Sequence, residues 1–259
     1  MWWRALAGLA VLSCAGALAA APDCAGEIEL GDAHIMRVEH NGVLVMTDGR
    51  ALSLEGIRLP NAALDHSPQI IADQAFAALT DLAKGRELDA YAVWPKEDRY
   101  DRVRSQIFDH ENGAWLQIEM LKRGLARVDL SPDRGECFRD LYAAEADARK
   151  AGLGLWANPA YGFKAASELT PADAGTFQIV VGKVLNTATQ DGRVFLNFGA
   201  DWRSDFTVTI SADDLKTFRR MGVDPMNYEG KLVRVRGVVQ AENGPAIAVG
   251  NPKQIELLQ

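Results

Sequence analysis

The sequence contains few of the residues that build a zinc site, and few long apolar runs. It has four His and three Cys, and no His stands at ligand spacing from a Cys, so a zinc site is not expected. An uncharged run at residues 5–21 is short for a membrane-spanning helix. No internal repeat and no low-complexity tract is evident. The length suits two small domains.

The chain also has fewer basic than acidic residues. The net charge is −7, and it divides unevenly along the chain. Residues 20–174 hold 17 Lys and Arg against 26 Asp and Glu, a net charge of −9, whereas residues 175–259 hold 10 against 9, a net charge of +1. Non-specific nucleic-acid binding depends on neutralising phosphates with basic side chains. The acidic first part therefore argues against a strong general nucleic-acid binder.

The N-terminal segment is typical of a secretory signal peptide. Arg4 supplies a positive charge, the uncharged run follows, and small residues at 17–20 favour cleavage after Ala19 or Ala20. We therefore expect residues 1–19 to be removed and an exported protein, periplasmic or secreted, whose mature chain has no transmembrane segment. A membrane anchor is an alternative. A second alternative is lipidation of Cys14, because Val-Leu-Ser-Cys resembles a lipoprotein cleavage site.

Removal of Cys14 with the signal peptide would leave Cys24 and Cys137, an even number. An oxidising compartment favours a disulfide between them. The alternative is two separate buried thiols.

Alternating apolar residues and turn dipeptides predict a barrel in the first half. Asn41-Gly42 and Asp48-Gly49 are strong hairpin signals between short strands. We predict strands at 34–38, 43–46, 51–54, 87–93 and 103–108, and helices at 68–84, 115–123 and 136–150. Five strands with three helices suggest a small Greek-key barrel of α+β class.

The second half is predicted to be a separate β domain. Residues 158–174 contain Pro and Gly near their edges and are expected to form a linker. In residues 175–259 we predict a helix at 212–221 and strands at 177–185, 194–198, 206–210, 232–239, 246–249 and 254–258. This order is compatible with a second small OB-like barrel.

Four segments carry a resemblance to a known family. They are Leu-Glu-Gly-Ile…Pro at 54–60, Asp-Arg-Tyr-Asp-Arg at 98–102, Leu-Lys-Arg-Gly-Leu-Ala-Arg-Val at 121–128, and Gly-Leu-Trp-Ala at 154–157. In order and spacing, residues 28–157 resemble the thermonuclease (staphylococcal nuclease-like) family. The resemblance implies a staphylococcal-nuclease-like OB barrel with three helices.

The same resemblance implies a nuclease chemistry whose residues are largely replaced. Active members hold one calcium ion with aspartates, use a glutamate as general base and bind the phosphate with two arginines. Gly42 and Arg58 stand at the places of two aspartates, Asn61 at that of the base, and Ser53 at that of one arginine. We therefore expect no metal and no cofactor, with calcium only if a rearranged site exists. Whether the chain is an enzyme stays open.

Two positions of the family's nucleotide site are matched. By resemblance, Arg102 is the second phosphate-contacting arginine and Tyr100 lies near the nucleotide, while Asp101 replaces a glycine. The alternatives are an ion pair of Arg102 with Asp98 or Asp101, and a packing role for Tyr100. A displaced general base would come from nearby titratable residues, namely His40, Glu55, Asp65 and His66.

The second domain offers arginines among aromatics. Arg234 and Arg236 alternate with valines in one strand, and Trp202 with Arg203 lies in a Gly-rich charged loop at 197–206. Such a surface suits single-stranded nucleic acid. The alternative is a hydrophobic core beneath a solvated arginine face.

These patterns predict an exported, catalytically impaired nuclease-like binding or scaffold module for single-stranded nucleic acid or a cell-envelope protein, the latter bound through the Trp202 loop. The alternative is an active periplasmic phosphodiesterase with a rearranged site that retains Arg102.

Overall fold

A closed β-barrel domain and a second domain built on an eight-stranded sheet, each with helices, make up the computed structural model, which describes residues 21–201 and 203–258. The expected α+β fold class is confirmed. The predicted signal peptide, Cys14 and Trp202 lie outside the described residues.

The first barrel is closed by five strands: β1 (Glu27–Val38), β2 (Leu44–Met46), β3 (Ala51–Leu54), β5 (Glu87–Ala92) and β6 (Val103–Asp109). Their order around the barrel is β1-β2-β3-β6-β5. Only the β3–β6 pair of this barrel is parallel. Gly42 and Gly49 take φ values of 87° and 90° in the two hairpin turns, a conformation that glycine adopts without strain. Both hairpins are where the sequence predicts them.

Helices and a two-stranded ribbon complete this domain. The helices are α1 (Ala62–Asp65), α2 (Gln69–Ala83), α3 (Leu116–Lys122) and α4 (Phe138–Lys150), and the ribbon pairs β4 (Ile57–Arg58) with β7 (Arg127–Val128). The predicted apolar face of α2 is buried, with Ile71, Ala75, Leu79 and Leu82 turned inward. The ribbon and α1 place residues 57–61 at one end of the barrel.

The predicted linker at 158–174 packs against both domains. Its strand β8 (Lys164–Ala165) pairs in parallel with the next strand, and Tyr161, which is 1% exposed, packs with Ile71 and Leu155 of the first domain. Ala166 and Leu169 belong to the core of the second domain, whereas Phe163 is 38% exposed.

The second domain contains β9 (Phe177–Lys183), β10 (Asn186–Gln190), β11 (Arg193–Asn197), β12 (Thr207–Ile210), α5 (Asp214–Arg220), β13 (Leu232–Ala241), β14 (Pro245–Ala248) and β15 (Ile255–Leu257). Its sheet runs β10-β11-β12-β14-β13-β9-β8, and β15 pairs with β13. Only two residues separate β9 from β10. If β9 and β10 are counted as one bent first strand, the strands follow the same order as in the first barrel. As there, the third strand pairs in parallel with the fifth, here β12 with β14. This is the strand order of an OB-like barrel.

Buried charged groups join the two barrels. Arg236 of β13 lies 3.0 Å from a carboxylate oxygen of Glu145 in α4. Arg127 of β7 lies 2.6 Å from Asp65 and donates a hydrogen bond to the carbonyl of Phe177 at 2.8 Å. These four charged side chains are almost fully buried. The barrels therefore meet in a fixed arrangement rather than through a free linker.

The predicted disulfide between Cys24 and Cys137 is confirmed, and it ties the segment before β1 to the start of α4. Within the described residues, none of the helices has both the length and the apolar character required to span a bilayer.

Candidate functional site

A cleft of about 320 Å³ opens at the end of the first barrel, where the sequence predicts the remains of a nuclease site. Three loops and the β4–α1 segment form its walls. The residues that line it include His40, Gly42, Ser53, Arg58, Leu59, Asn61, Arg102 and Asp129. Ser53, which stands where the family has a phosphate-binding arginine, supplies only a hydroxyl to this wall.

The first of the expected metal-ligand positions offers no side chain. Gly42 has a φ of 87°, and a Cβ placed on it would lie 2.2 Å from Cδ1 of Leu59. A side chain at position 42 would therefore require the tip of the Leu59 side chain to move and would sit on a strained backbone. Gly42 contributes no oxygen ligand to this side of the cleft.

At the second expected metal-ligand position the side chain itself is positively charged, since the residue is Arg58. Arg58 on β4 places Nη1 3.4 Å from Oδ2 of Asp129, and its guanidinium lies 5.4 Å from the centroid of the Phe177 ring. Asp129 is the one carboxylate among the described residues that line the cleft. Burial raises the pKa of Asp129, and the charge of Arg58 opposes that shift. The carboxylate and the guanidinium therefore compensate each other.

The position expected to hold the general base is used as a helix cap. Oδ1 of Asn61 accepts a hydrogen bond from the Leu64 N–H at 3.0 Å, which makes Asn61 the N-cap of α1. Its own N–H donates to Oδ2 of Asp65 at 2.9 Å. A side-chain amide does not take a proton from water at neutral pH. Asn61 is thus a structural residue.

Arg102 lines the cleft but is held by a carboxylate. Its Nε lies 2.7 Å from Oδ2 of Asp98, and its guanidinium stacks 4.9 Å from the centroid of the Tyr100 ring. Burial tends to raise the pKa of Asp98, but the hydrogen bonds from Arg102 and from the Tyr100 N–H lower it below its ordinary value. The ion pair with Asp98 is therefore the alternative that the structure contains.

Tyr100 is exposed rather than packed. It is 60% exposed, and guanidinium groups of both Arg99 and Arg102 lie over its ring. Asp101, at the place of the family's glycine, has a φ of 57°. It adds a negative charge to this loop.

The two nearby carboxylates considered as displaced general bases are held in ion pairs with arginines. Glu55 is buried and lies 3.0 Å from Nε of Arg104. Asp65 is buried and lies 2.6 Å from Nη2 of Arg127. Neither lines the cleft. A carboxylate held in such a pair is poorly placed to take a proton from a water molecule.

The two candidate histidines are exposed, and neither has a carboxylate partner among the described residues. His40 stacks on Phe76 with ring centroids 4.1 Å apart and planes nearly parallel. His66 ends α1 in the left-handed conformation. Only His40 lines the cleft.

A wider groove of about 800 Å³ continues from the cleft along the boundary between the barrels. The cleft and the groove share Ser53, Arg102 and Asp129, among other residues, and the far wall of the groove includes Val238 and Gln240 of β13. The site is therefore open at one end and extends onto the second domain, as suits an extended ligand.

The structure does not assemble the predicted arginine–aromatic surface of the second domain. Arg236 is 1% exposed and held by Glu145, so the expectation of a nucleic-acid-binding or solvated Arg236 is wrong: α4 of the first domain covers that face of β13. Arg234 is largely buried, 3.2 Å from Glu256, with its guanidinium over the ring of Phe163. Arg203 is exposed. Trp202 lies outside the described residues.

Sequence reasoning missed Asp129 and the role of Leu59. Asp129 follows the short strand β7, and nothing in its neighbours indicates that it faces Arg58. The proximity of Leu59 to Gly42 depends on the three-dimensional fold and has no signal in the sequence.

Comparison with known proteins agrees with this geometry. Residues 51–158 match the family model described as staphylococcal nuclease homologue. No curated protein matches the chain. The matched segment contains β3, the cleft residues from Ser53 onward and the Arg102 loop.

Proposed function

We propose that this chain, whose residues 51–158 form a domain of the staphylococcal nuclease homologue family, is an exported binding module that has lost phosphodiester hydrolysis. One observation carries the proposal. The cleft offers a single carboxylate among the described residues, and that carboxylate, Asp129, is paired with the Arg58 guanidinium.

Hydrolysis in this cleft would need groups that it lacks. Water must lose a proton to a base before it attacks phosphorus, and a calcium ion requires several anionic oxygen ligands. Two unit charges 4 Å apart interact by about 4 kcal/mol at an effective dielectric constant of 20. A free carboxylate would attract a cation by an energy of that order, but Asp129 is paired with Arg58, so the pair offers a cation no net attraction, which supports loss of the metal site.

The retained features favour binding of an extended ligand. Tyr100 presents an exposed ring, Arg102 lies beside it, and the cleft continues into the groove between the barrels. Aromatic rings next to arginines suit the stacked bases of single-stranded nucleic acid. Because the first domain is acidic and Arg102 is paired with Asp98, few phosphates would be neutralised, and we expect such binding to be weak, with a shallow dependence on salt.

A cell-envelope protein is the second candidate partner. The uneven charge of the chain favours it, since a net charge of −9 over residues 20–174 repels phosphate but not a basic protein surface. Export is supported by the apolar N-terminal segment and by the Cys24–Cys137 disulfide, which an oxidising compartment stabilises.

The decisive experiment is incubation of the purified protein with single-stranded DNA and RNA, in calcium and in chelator, with cleavage read on a denaturing gel. We expect no chelator-sensitive cleavage. Cleavage that needs calcium and is lost in Arg102→Ala, but kept in Arg50→Ala, would establish the alternative of an active phosphodiesterase. Arg50 is a matched control, because it is an exposed arginine paired with a nearby aspartate outside the cleft.

The partner is tested separately by fluorescence anisotropy of labelled oligonucleotides at two salt concentrations. Weak binding that Tyr100→Ala abolishes would assign the nucleic-acid ligand. If the oligonucleotides do not bind, co-purification from envelope extracts, comparing the native chain with Trp202→Ala, tests the protein partner.

A further inference from the structure

A second concave surface lies on the OB-like barrel, outside the cleft of the first domain. It has a volume of about 480 Å³ and is formed by the outer face of β10, β11 and β12 together with the β13–β14 turn. We call it the β11 groove. Its lining residues are Asn186, Ala188, Gln190, Asp191, Arg193, Phe195, Asn197, Thr207, Thr209, Glu242 and Asn243.

The strand register arranges this face in rows. Asn186, Asn197 and Thr207 stand side by side in one row, and Ala188, Phe195 and Thr209 in the next. Side chains two residues apart share one face of a strand, so the alternate residues Val194, Leu196 and Val208 point into the core. Phe195 and Asn197 on this face are partly exposed, whereas Thr207 and Thr209 lie at its floor, 7% and 6% exposed. The groove face is therefore separate from the apolar core.

Phe195 forms an aromatic platform at the centre of the groove. Its neighbours across the strands are the small residues Ala188 and Thr209, so space remains beside the ring. Arg193 is the one described cation whose guanidinium lies over the Phe195 ring, and it does so at 5.5 Å from the ring centroid. A flat apolar ring between small polar side chains suits a ligand that has both an apolar face and polar edges.

Hydrogen-bonding groups without partners surround the ring. The side chains of Asn186, Gln190, Asn243 and Thr209 make no hydrogen bond to any other described residue. Asn197 uses only its Oδ1, which accepts from Thr207 at 3.4 Å. Amides and hydroxyls both donate and accept, which matches the hydroxyl and acetamido groups of sugars.

The charge of the groove disfavours a phosphate-bearing polymer. Arg193 is paired with Glu242 at 3.4 Å, and Asp191 adds an uncompensated negative charge at the rim. Binding of nucleic acid draws most of its strength from unpaired cations, and the groove lining contains none. An uncharged ligand pays no such penalty.

We infer that the β11 groove binds a neutral oligosaccharide, with a pyranose ring stacked on Phe195 and its hydroxyl groups held by the side-chain amides and Thr209. The corresponding face of OB barrels can accept oligosaccharides as well as oligonucleotides, and here the charge and the amide-rich lining select the sugar. The inference concerns the second barrel and does not depend on whether the first cleft hydrolyses phosphodiesters.

The test is titration of the ¹⁵N-labelled protein with two uncharged probes, N-acetylated chitotetraose and cellotetraose, and separately with the octanucleotide dT8. We expect one of the sugars to give saturable amide shifts with a Kd of about 1 mM or tighter, centred on residues 186–197 and 207–209. Phe195→Ala should weaken the binding at least about tenfold.

Two further variants locate the site. Thr209→Val removes one hydroxyl without emptying the strand face and should weaken the sugar severalfold. Trp94→Ala is the matched control, because Trp94 is an aromatic residue of the first domain with 86% exposure, and it should change nothing. If Phe195→Ala does not fold, the amide shifts of the native chain and the affinity of Thr209→Val for the sugar show whether the β11 groove is the binding site.

Three results would overturn the inference. They are the absence of saturable shifts with either sugar, sugar binding that is indifferent to the groove variants, and binding of dT8 in the groove without binding of a sugar.

Discussion

Replacing Arg236 with methionine tests the buried junction between the barrels. Arg236 is 1% exposed; its Nη1 lies 3.1 and 3.0 Å from the two carboxylate oxygens of Glu145, which is 2% exposed, and it also donates to the Val128 carbonyl. Burial tends to lower the pKa of Arg236, but the surrounding acidic groups, Glu145 foremost, raise it, so the arginine is charged.

Arg236→Met keeps most of the side-chain length but leaves Glu145 buried without a counter-ion. Removing one partner of a buried ion pair typically costs about 3–5 kcal/mol. We expect that loss in the free energy of unfolding measured by urea denaturation. Arg234→Met is the matched control: it lies two residues away on the same strand, and it shares the partner Glu256 with Arg236 but does not contact Glu145. Because Glu256 keeps its bond to Arg236 in this variant, the loss should be smaller than that of Arg236→Met.

A double-mutant cycle separates the pair from its surroundings. Glu145→Met should also destabilise, since the Val128 N–H loses its acceptor. The double variant should be more stable than the sum of the single losses predicts, with a coupling of about 2 kcal/mol or more. If Arg236→Met costs no more than Arg234→Met, or if the two single losses simply add, the buried junction is not held by this pair.

Three further predictions concern other parts of the chain. Removing the disulfide with Cys24→Ser should cost about 4–5 kcal/mol, because it closes a loop of 113 residues, and urea unfolding with and without reductant measures the loss. The pKa of His110, measured by NMR titration, should lie above its ordinary value, because the imidazole hydrogen-bonds Asp89. The stability that this pair contributes is present at low pH and is lost as the pH rises through the raised pKa. Asp89→Asn should remove the shift. Gly42→Asp should destabilise by about 1–3 kcal/mol, because Gly42 has a φ of 87° and the new Cβ meets the Leu59 side chain. In urea denaturation the loss caused by Gly42→Asp should be smaller in a Leu59→Ala background than in the native chain; equal losses in the two backgrounds would contradict the contact with Leu59.

Much of the fold could be predicted from local patterns. The two Gly hairpin turns and the apolar face of α2 are decided by nearby residues, and the structure has them where the sequence indicates. Strand β10 was missed because its residues, Asn-Thr-Ala-Thr-Gln, are polar or small on both faces and give no alternation. The composition of residues 158–174 is loop-like and does not indicate that tertiary packing buries Tyr161.

The candidate site was partly predictable. The replaced residues at 42, 58 and 61 could be read by resemblance, but their present roles could not. That Leu59 fills the space beside Gly42, and that Asn61 caps α1, depend on three-dimensional contacts. Alternation correctly put Arg234 and Arg236 on one face of β13. It could not reveal that α4 of the other domain covers that face.

The proposed function depends most on one expectation, that the cleft of the first domain does not bind a cation. Calcium titration followed through the backbone amides of Gly42, Leu59 and Asn61 tests it most directly. We predict no saturable shift of these amides up to millimolar calcium, a range in which even weak protein sites fill. Saturable shifts centred on these three residues, reversed by chelator, would contradict the account.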